Sequence, residues 1–346
     1  MLKKKWVKRA GTIAVYVLLA GFLAWAAYTI QWSALSKVTF NIGFLAIAAA
    51  AGLGFRYWQT FIWITVLRGL GAQKVRMNRE LIYVYAKSWL GRYIPGTAPW
   101  ILGKIFFASR HGVSKTKLAV GSLLEAAIQI AVLLSTSAIM LLFDARLNIP
   151  SVAYLRPIMV AVIVACLIGL MPPVFNRLMA VAFRILRRPK LERENYATWR
   201  TIGTASAQYV VGTLLSGISL YAMALSIYPQ LGLGNFFYVV AAGNLAGAVS
   251  MLIVFLPSGI GVRDGLQLVF LRVVMPGAIA AAVVVITRVW TLILDIVFFG
   301  VSWIILVISH AISGTPVVSA DPIPAEATAS PLGAPNQSAI SVDHGS

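Results

Sequence analysis

Two stretches of this sequence set cations beside breaks in apolar runs. The first, GRYIPGTAPWILGK at residues 91–104, places Pro95, Gly96 and Pro99 within five residues and brackets them with Arg92 and Lys104. The second, LPSGIGVRDG at 256–265, carries Ser258, Gly259 and Gly261 ahead of the adjacent Arg263 and Asp264. Proline removes helix hydrogen bonds, and the helix that resumes beyond the break presents unpaired N–H groups and a positive dipole end. Such an end is a ready anion site. Arg adds a fork that matches phosphate geometry, and Lys adds a point charge. Pro99 suits a first helical position, Ser258 can cap a helix start, and the glycines permit close backbone approach. The chemistry indicated is the holding of a phosphate or other anionic headgroup. The competing account is a pair of turns whose cations reach back to lipid headgroups.

Single charges also stand inside long apolar runs: Glu125 in VGSLLEAAIQIAV and Arg288 in VVVITRVWTLI. Charges so placed in a membrane are costly, and are usually paired and functional. The expectation is one shared polar centre of Glu125, Arg263, Asp264 and Arg288, with Arg92 and Lys104 near it. In that centre Arg92, Lys104, Arg263 and Arg288 hold phosphate. Glu125 and Asp264 orient those cations or meet a cationic headgroup. Asp295, seven residues after Arg288, shares its helix face and is a second candidate partner. Arg56, in FRYWQTFIW beside Trp58 and Trp63, reads more simply as a cation reaching an interfacial aromatic belt. Gly243 and Gly247 form a GxxxG pattern suited to helix packing.

The elements that must position these residues follow from composition. The chain has 346 residues, 60% hydrophobic and 11% charged, against roughly 25% charged in soluble domains, with mean hydropathy +0.85. Apolar runs of about 20 residues recur, the length that crosses a bilayer. They are continuous rather than alternating, so they predict helices. The expected fold is all-α: a polytopic transmembrane helical bundle over residues 1–311 with two broken or re-entrant segments. Spans are expected at about 11–30, 41–67, 117–143, 157–176 and 201–228, with irregular regions at 80–116 and 236–276. The apolar stretch 278–310 is too long for one upright span and is tilted, kinked near Arg288 to Asp295, or two segments. The first span is expected to be retained rather than cleaved as a signal peptide. Residues 312–346, rich in Pro, Ala and Ser, read as a disordered tail. The two motif regions share an order of Pro/Gly break, short apolar helix, turn and long charged span, which is either an internal repeat or a chance likeness.

The net charge is +19, yet 22 of the 29 Lys and Arg fall in four clusters between apolar runs: 1–9, 68–92, 104–117 and 177–200. These read as cytoplasmic loops beside anionic lipid, with a cytoplasmic N-terminus in the cell inner membrane, rather than as a nucleic-acid surface. Cys166 is the one cysteine, which leaves no intramolecular disulfide framework and no Cys-rich metal site. The only histidines are His111, His310 and His344, and no His–carboxylate set is evident. PSG at 257–259 is similar to the middle signature of membrane lipid phosphatases, but Ile260 stands where their His would be. No acidic pair marks a glycosyltransferase, and no nucleotide-binding motif is present. The expectation is therefore no enzyme activity, no cofactor and no bound metal.

At its motifs the sequence resembles the transmembrane region of the lysylphosphatidylglycerol synthase/flippase family. The likeness covers most of residues 1–310. It rests on RYIPG with Trp100 and Lys104, GVS at 112–114 followed by LLE ending at Glu125, LPSGIGVRDG followed by Arg288, and RYW at 56–58. Lys104 and Asp264 stand where the family usually has Arg and Glu, and Ala126 stands where many members have Arg. Bifunctional members carry an aminoacyl-transferase domain after the membrane region, and residues 312–346 are too few for one. The resemblance thus implies the translocation half alone, moving an anionic or lysylated phospholipid or a lipid-phosphate headgroup. The alternatives are a non-transporting subunit or regulator of a lipid or glycan enzyme, and a transferase using lipid-linked donors.

Overall fold

The computed structural model describes residues 40–73, 75–93, 98–109, 113–148, 154–185, 193–253 and 261–313. The expected first span, the disordered tail, and Pro95, Gly96, Ser258 and Gly259 lie outside them. Packing divides the chain into units Met1–Leu306 and Val307–Ser346, and the site concerns the first alone.

Among the described residues there are ten α-helices and no strand: α1 (Ile42–Gly69), α2 (Arg79–Leu90), α3 (Ala98–Ser109), α4 (Lys115–Leu142), α5 (Leu155–Leu170), α6 (Pro172–Ile185), α7 (Trp199–Ile227), α8 (Phe236–Leu252), α9 (Val262–Leu271) and α10 (Gly277–Ser313). Several starts are written in short polar side chains. Asn41 accepts from the Gly43 and Phe44 amides, Asn78 from Leu81, Ser114 from Lys117, and Thr198 from Thr201. Each satisfies an N–H group that the first helical turn leaves over.

Four helices are long and apolar enough to cross a membrane: α4, α7, α10 and the stretch Leu233–Leu252, which contains α8. The chain is a polytopic all-α membrane protein. Helix α1 has 28 residues, about 42 Å, but buries Arg56, Gln59 and Thr60. It packs antiparallel on α7 along its whole length. The Asn41 amide donates to Ser226 O, Ser219 Oγ to Ala48 O, Trp58 Nε1 to Gln208 O, and Thr201 Oγ1 to Gly69 O.

Three boundaries differ from the sequence expectations. The span expected at 157–176 ends at Leu170, and α5 and α6 meet at a 74° bend. Met171 there is extended, with ψ 128°, because Pro172 disfavours a helical conformation in the residue before it. The basic loop expected at 177–200 begins inside α6, whose Phe175 and Met179 are buried while Leu178 and Val181 are exposed. Arg177 and Arg184 sit on that helix, not in a loop. The first part of the region expected to be irregular at 236–276 is the regular helix α8. The stretch 278–310 is one continuous helix, the 37-residue α10.

The order of elements occurs twice. Helix α3, with 12 residues, precedes the long α4, and α9, with 10 residues, precedes the long α10. Neither short helix reaches the ~20 residues of a span. Each is entered from residues 94–97 or 254–260, which lie outside the described set.

Candidate functional site: two buried charge clusters

The charges gather in two clusters joined by aromatic rings. The first centres on Asp295 of α10, which is fully buried. Its Oδ1 accepts from Arg56 Nε at 2.6 Å and Trp89 Nε1 at 3.1 Å. Its Oδ2 accepts from Arg92 Nη2 and from the Tyr93 hydroxyl, both at 2.5 Å. Arg56 also donates to Gly52 O at 2.7 Å and Thr291 O at 2.9 Å. This one carboxylate therefore ties α1, the end of α2, the turn after it and α10 together. Arg56 is 5% exposed, so it is a bonded interior cation and not an interfacial one.

The second cluster centres on Glu125 of α4, also fully buried. Glu125 Oε2 accepts from Lys104 Nζ at 2.6 Å, and Oε1 accepts from the Tyr85 hydroxyl at 2.9 Å. Lys104 has no exposed surface. Its ammonium stands over the rings of Trp100 at 4.0 Å, Tyr85 at 4.3 Å and Trp63 at 5.8 Å. Trp89 joins the clusters. It carries the Arg92 guanidinium over its ring at 4.6 Å, stacks on Tyr85 at 5.7 Å and meets Trp100 edge-on at 6.4 Å.

The expected single centre is thus divided. Glu125 is held by Lys104 and Tyr85. Asp295, weighed as a partner for Arg288, accepts from Arg56 and Arg92 instead. Arg263, near the start of α9, lies within electrostatic range of Arg92, Arg288 and Asp264. Asp264 is buried and accepts from the Gly261 amide at 3.3 Å, closing the start of α9. Gly261 has φ +82°, a conformation that glycine alone adopts freely. The residues that sequence reasoning passed over are Arg56 as a bonded cation, Tyr85, Trp89 and Tyr93. RYW at 56–58 and the Tyr/Trp density of 83–93 were the available signals.

Arg56, Arg92, Lys104, Arg263 and Arg288 stand against Glu125, Asp264 and Asp295, an excess of two positive charges. Arg92 Nε is buried and has no hydrogen-bond partner among the described residues. A buried ionised donor without a partner costs more than a neutral one, and an anionic oxygen satisfies it best. Among the described residues no group of three His, Cys, Asp or Glu could hold a metal. A cavity of about 630 Å³ elsewhere is lined by Gly71, Arg76, Asn78, Ser114 and Lys117 and by none of these charges.

The family described as the lysylphosphatidylglycerol synthase TM region matches residues 12–298. This chain belongs to that family. No curated protein matches it. Membership agrees with the sequence resemblance and with the all-α membrane architecture.

Proposed function

We propose that this membrane protein binds the phosphate of a lipid headgroup and moves that headgroup across the bilayer. One observation carries the reading. Three partly buried arginines from distant segments, Arg92, Arg263 and Arg288, share one electrostatic neighbourhood, and the buried Nε of Arg92 has no hydrogen-bond partner among the described residues. Cations gathered at partly buried positions in a membrane protein are costly and are relieved by an anion. A phosphate offers several acceptor oxygens to guanidinium forks. The short helices α3 and α9 each stand ahead of a long apolar span, an order found in transporters with discontinuous helices.

The substrate is a phospholipid or lipid-phosphate, anionic or lysylated, in the cell inner membrane, with the N-terminus cytoplasmic. With no nucleotide motif in the sequence, movement is downhill or ion-coupled, and the protein acts as a carrier rather than an enzyme. The test is reconstitution in liposomes with fluorescent lipids, following their accessibility to a membrane-impermeant quencher. Wild type is expected to exchange leaflets faster than empty vesicles, and Arg92→Gln and Arg263→Gln to return to the empty rate. Wild type equal to empty vesicles across phosphatidylglycerol, lysyl-phosphatidylglycerol and polyprenyl phosphate overturns the proposal.

A further inference from the structure

The cavity of about 630 Å³ lies at the end of the bundle where α1 finishes and α2 and α4 begin. One wall is the turn after α1, which is held by its own backbone. The Ala72 amide donates to Leu67 O and the Val75 amide to Ala72 O, both at 3.0 Å. The apolar lining is Val75, Leu81 and Val113, all buried in the core cluster that also contains Leu67 and Leu118. The cavity is therefore preformed on packed core rather than made by loose chain.

The rest of the lining is cationic. Arg76 and Lys117 both face it, and no carboxylate lines it among the described residues. Arg76 makes no hydrogen bond or ion pair among those residues. The Lys117 ammonium reaches Gly71 O at 3.4 Å, longer than an ordinary N–H···O bond, so its donors are hardly used. Asn78 and Ser114, the caps of α2 and α4, also line the cavity, so both helices start there. Each cap accepts from one amide, that of Leu81 or Lys117, and the other amides of each first turn have no partner within their helix. The first turn of α4 reads KTK and holds no acid. Two lysines at a helix N-terminus oppose the helix dipole, and an anion bound between them removes the conflict.

We infer that this cavity binds a phosphate monoester, as a lipid headgroup or as a free organic phosphate, at a place separate from the arginines around α9. A monoester carries about two negative charges at neutral pH and three acceptor oxygens. That matches two cations and two helix starts, whereas a phosphodiester brings only about one charge. Arg76 supplies a planar fork and Lys117 a point charge. The volume lies within the range of small-molecule sites, about 300–1,000 Å³, so an organic group fits beside the phosphate against Val75, Leu81 and Val113. The inference stands apart from the transport reading, since Arg92, Arg263 and Arg288 do not line the cavity.

The test uses the full chain in phosphatidylcholine nanodiscs. Glycerol 3-phosphate is titrated by calorimetry against wild type, Arg76→Gln, Lys117→Gln and Arg263→Gln, with glycerol as the uncharged control. Phosphatidic acid and phosphatidylglycerol, a lipid monoester and a lipid diester, are supplied in separate nanodiscs, and retained lipid is read by native mass spectrometry. Wild type should bind a monoester saturably while glycerol gives no heat, and retained phosphatidic acid should exceed phosphatidylglycerol by about tenfold. Neither Arg76 nor Lys117 is buried, so both variants should fold, and each should weaken monoester binding by about tenfold. Arg263→Gln should leave it unchanged. Glycerol 3-phosphate heat that phosphatidic acid abolishes shows both sources using the site. Heat that survives phosphatidic acid assigns the free phosphate, and lipid retention without heat assigns the headgroup. Binding that survives both Arg76→Gln and Lys117→Gln is an adventitious ion only and overturns the inference. Loss in Arg263→Gln alone, phosphatidylglycerol held as well as phosphatidic acid, or no binding of either monoester also overturns it.

Discussion

Replacing Asp295 with Asn tests the Asp295 cluster most directly. The carboxylate accepts from Arg56, Trp89, Arg92 and Tyr93 and has no exposed surface. Asn keeps the shape and one acceptor oxygen, which can still serve Arg56 and Trp89. Its amide turns two hydrogens toward Arg92, whose bond is lost, while the Tyr93 hydroxyl can rotate to accept one of them. Arg56, 5% exposed, then keeps only the neutral carbonyls of Gly52 and Thr291 and one amide oxygen. Removing one partner of a buried ion pair costs about 3–5 kcal/mol, because the remaining charge stays buried. At about 2–4 °C per kcal/mol for a chain of this size, Tm should fall by about 6–20 °C. Thermal unfolding in detergent, followed by tryptophan fluorescence, measures it, with the exposed Arg272→Gln as the control that should move by less than about 2 °C. Arg56→Met with Asp295→Asn should be less damaging than the two single losses added together, by about 1–3 kcal/mol, since each removes the same contact. A fall below about 2 °C for Asp295→Asn, or strict additivity in the double variant, refutes the four-donor arrangement.

Further consequences follow from the packing. Tyr85→Phe removes one of the two hydrogen bonds to buried Glu125 and should lower stability by about 1–3 kcal/mol, read as a Tm loss in the same assay. A Cβ at Gly243 would strike the Leu220 side chain, whereas one at Gly247 meets nothing within 4 Å. Gly243→Val should therefore destabilise by about 1–3 kcal/mol and Gly247→Ala should be close to neutral or slightly stabilising, and equal effects would sink the assignment of faces. Replacing both Pro172 and Pro173 by Ala removes the restriction on Met171 and should reduce the 74° bend between α5 and α6. Spin labels placed on the exposed Val164 and Val181 should then move apart, and an unchanged distance would show that packing of Phe175 and Met179, rather than proline, sets the bend.

The architecture was legible wherever one signal dominated. Continuous apolar runs announced α4, α7 and α10, and the proline breaks announced that short helices stand ahead of α4 and α10. The sequence misled where two signals competed. In PPVFNRLMAVAFRI the arginines suggested a loop, yet Phe175 and Met179 recur at helical spacing and bury one face of α6. The region 236–276 was expected to be irregular as a whole, while FFYVVAAGNLAGAVSML is a regular helix whose small residues allow close packing, as the GxxxG pattern of Gly243 and Gly247 suggested. The long stretch 278–310 offered no internal stop signal, and α10 runs through it unbroken because neither Arg288 nor Asp295 removes a backbone hydrogen bond.

Apart from Arg56, the charged residues of the two clusters were singled out in the sequence, but the aromatic members and the pairings were not. Periodicity relates residues on one helix, so it linked Asp295 to Arg288, which share a face of α10. It carries no information about Arg56, 239 residues away, which reaches Asp295 only because α1 and α10 come together in the bundle. Lys104 and Glu125 are 21 residues apart on consecutive helices, and that pair was within reach of sequence reasoning. The division into two clusters has a physical logic that the list of charges conceals. Each central carboxylate is engaged at both oxygens, by a cation and an aromatic hydroxyl at the least. Two such acids have little capacity left to neutralise the cations drawn in from α9 and α10. Among the described residues the cations nearest α9, Arg92, Arg263 and Arg288, are only partly buried, so under the proposed function a lipid phosphate meets them from outside the fold.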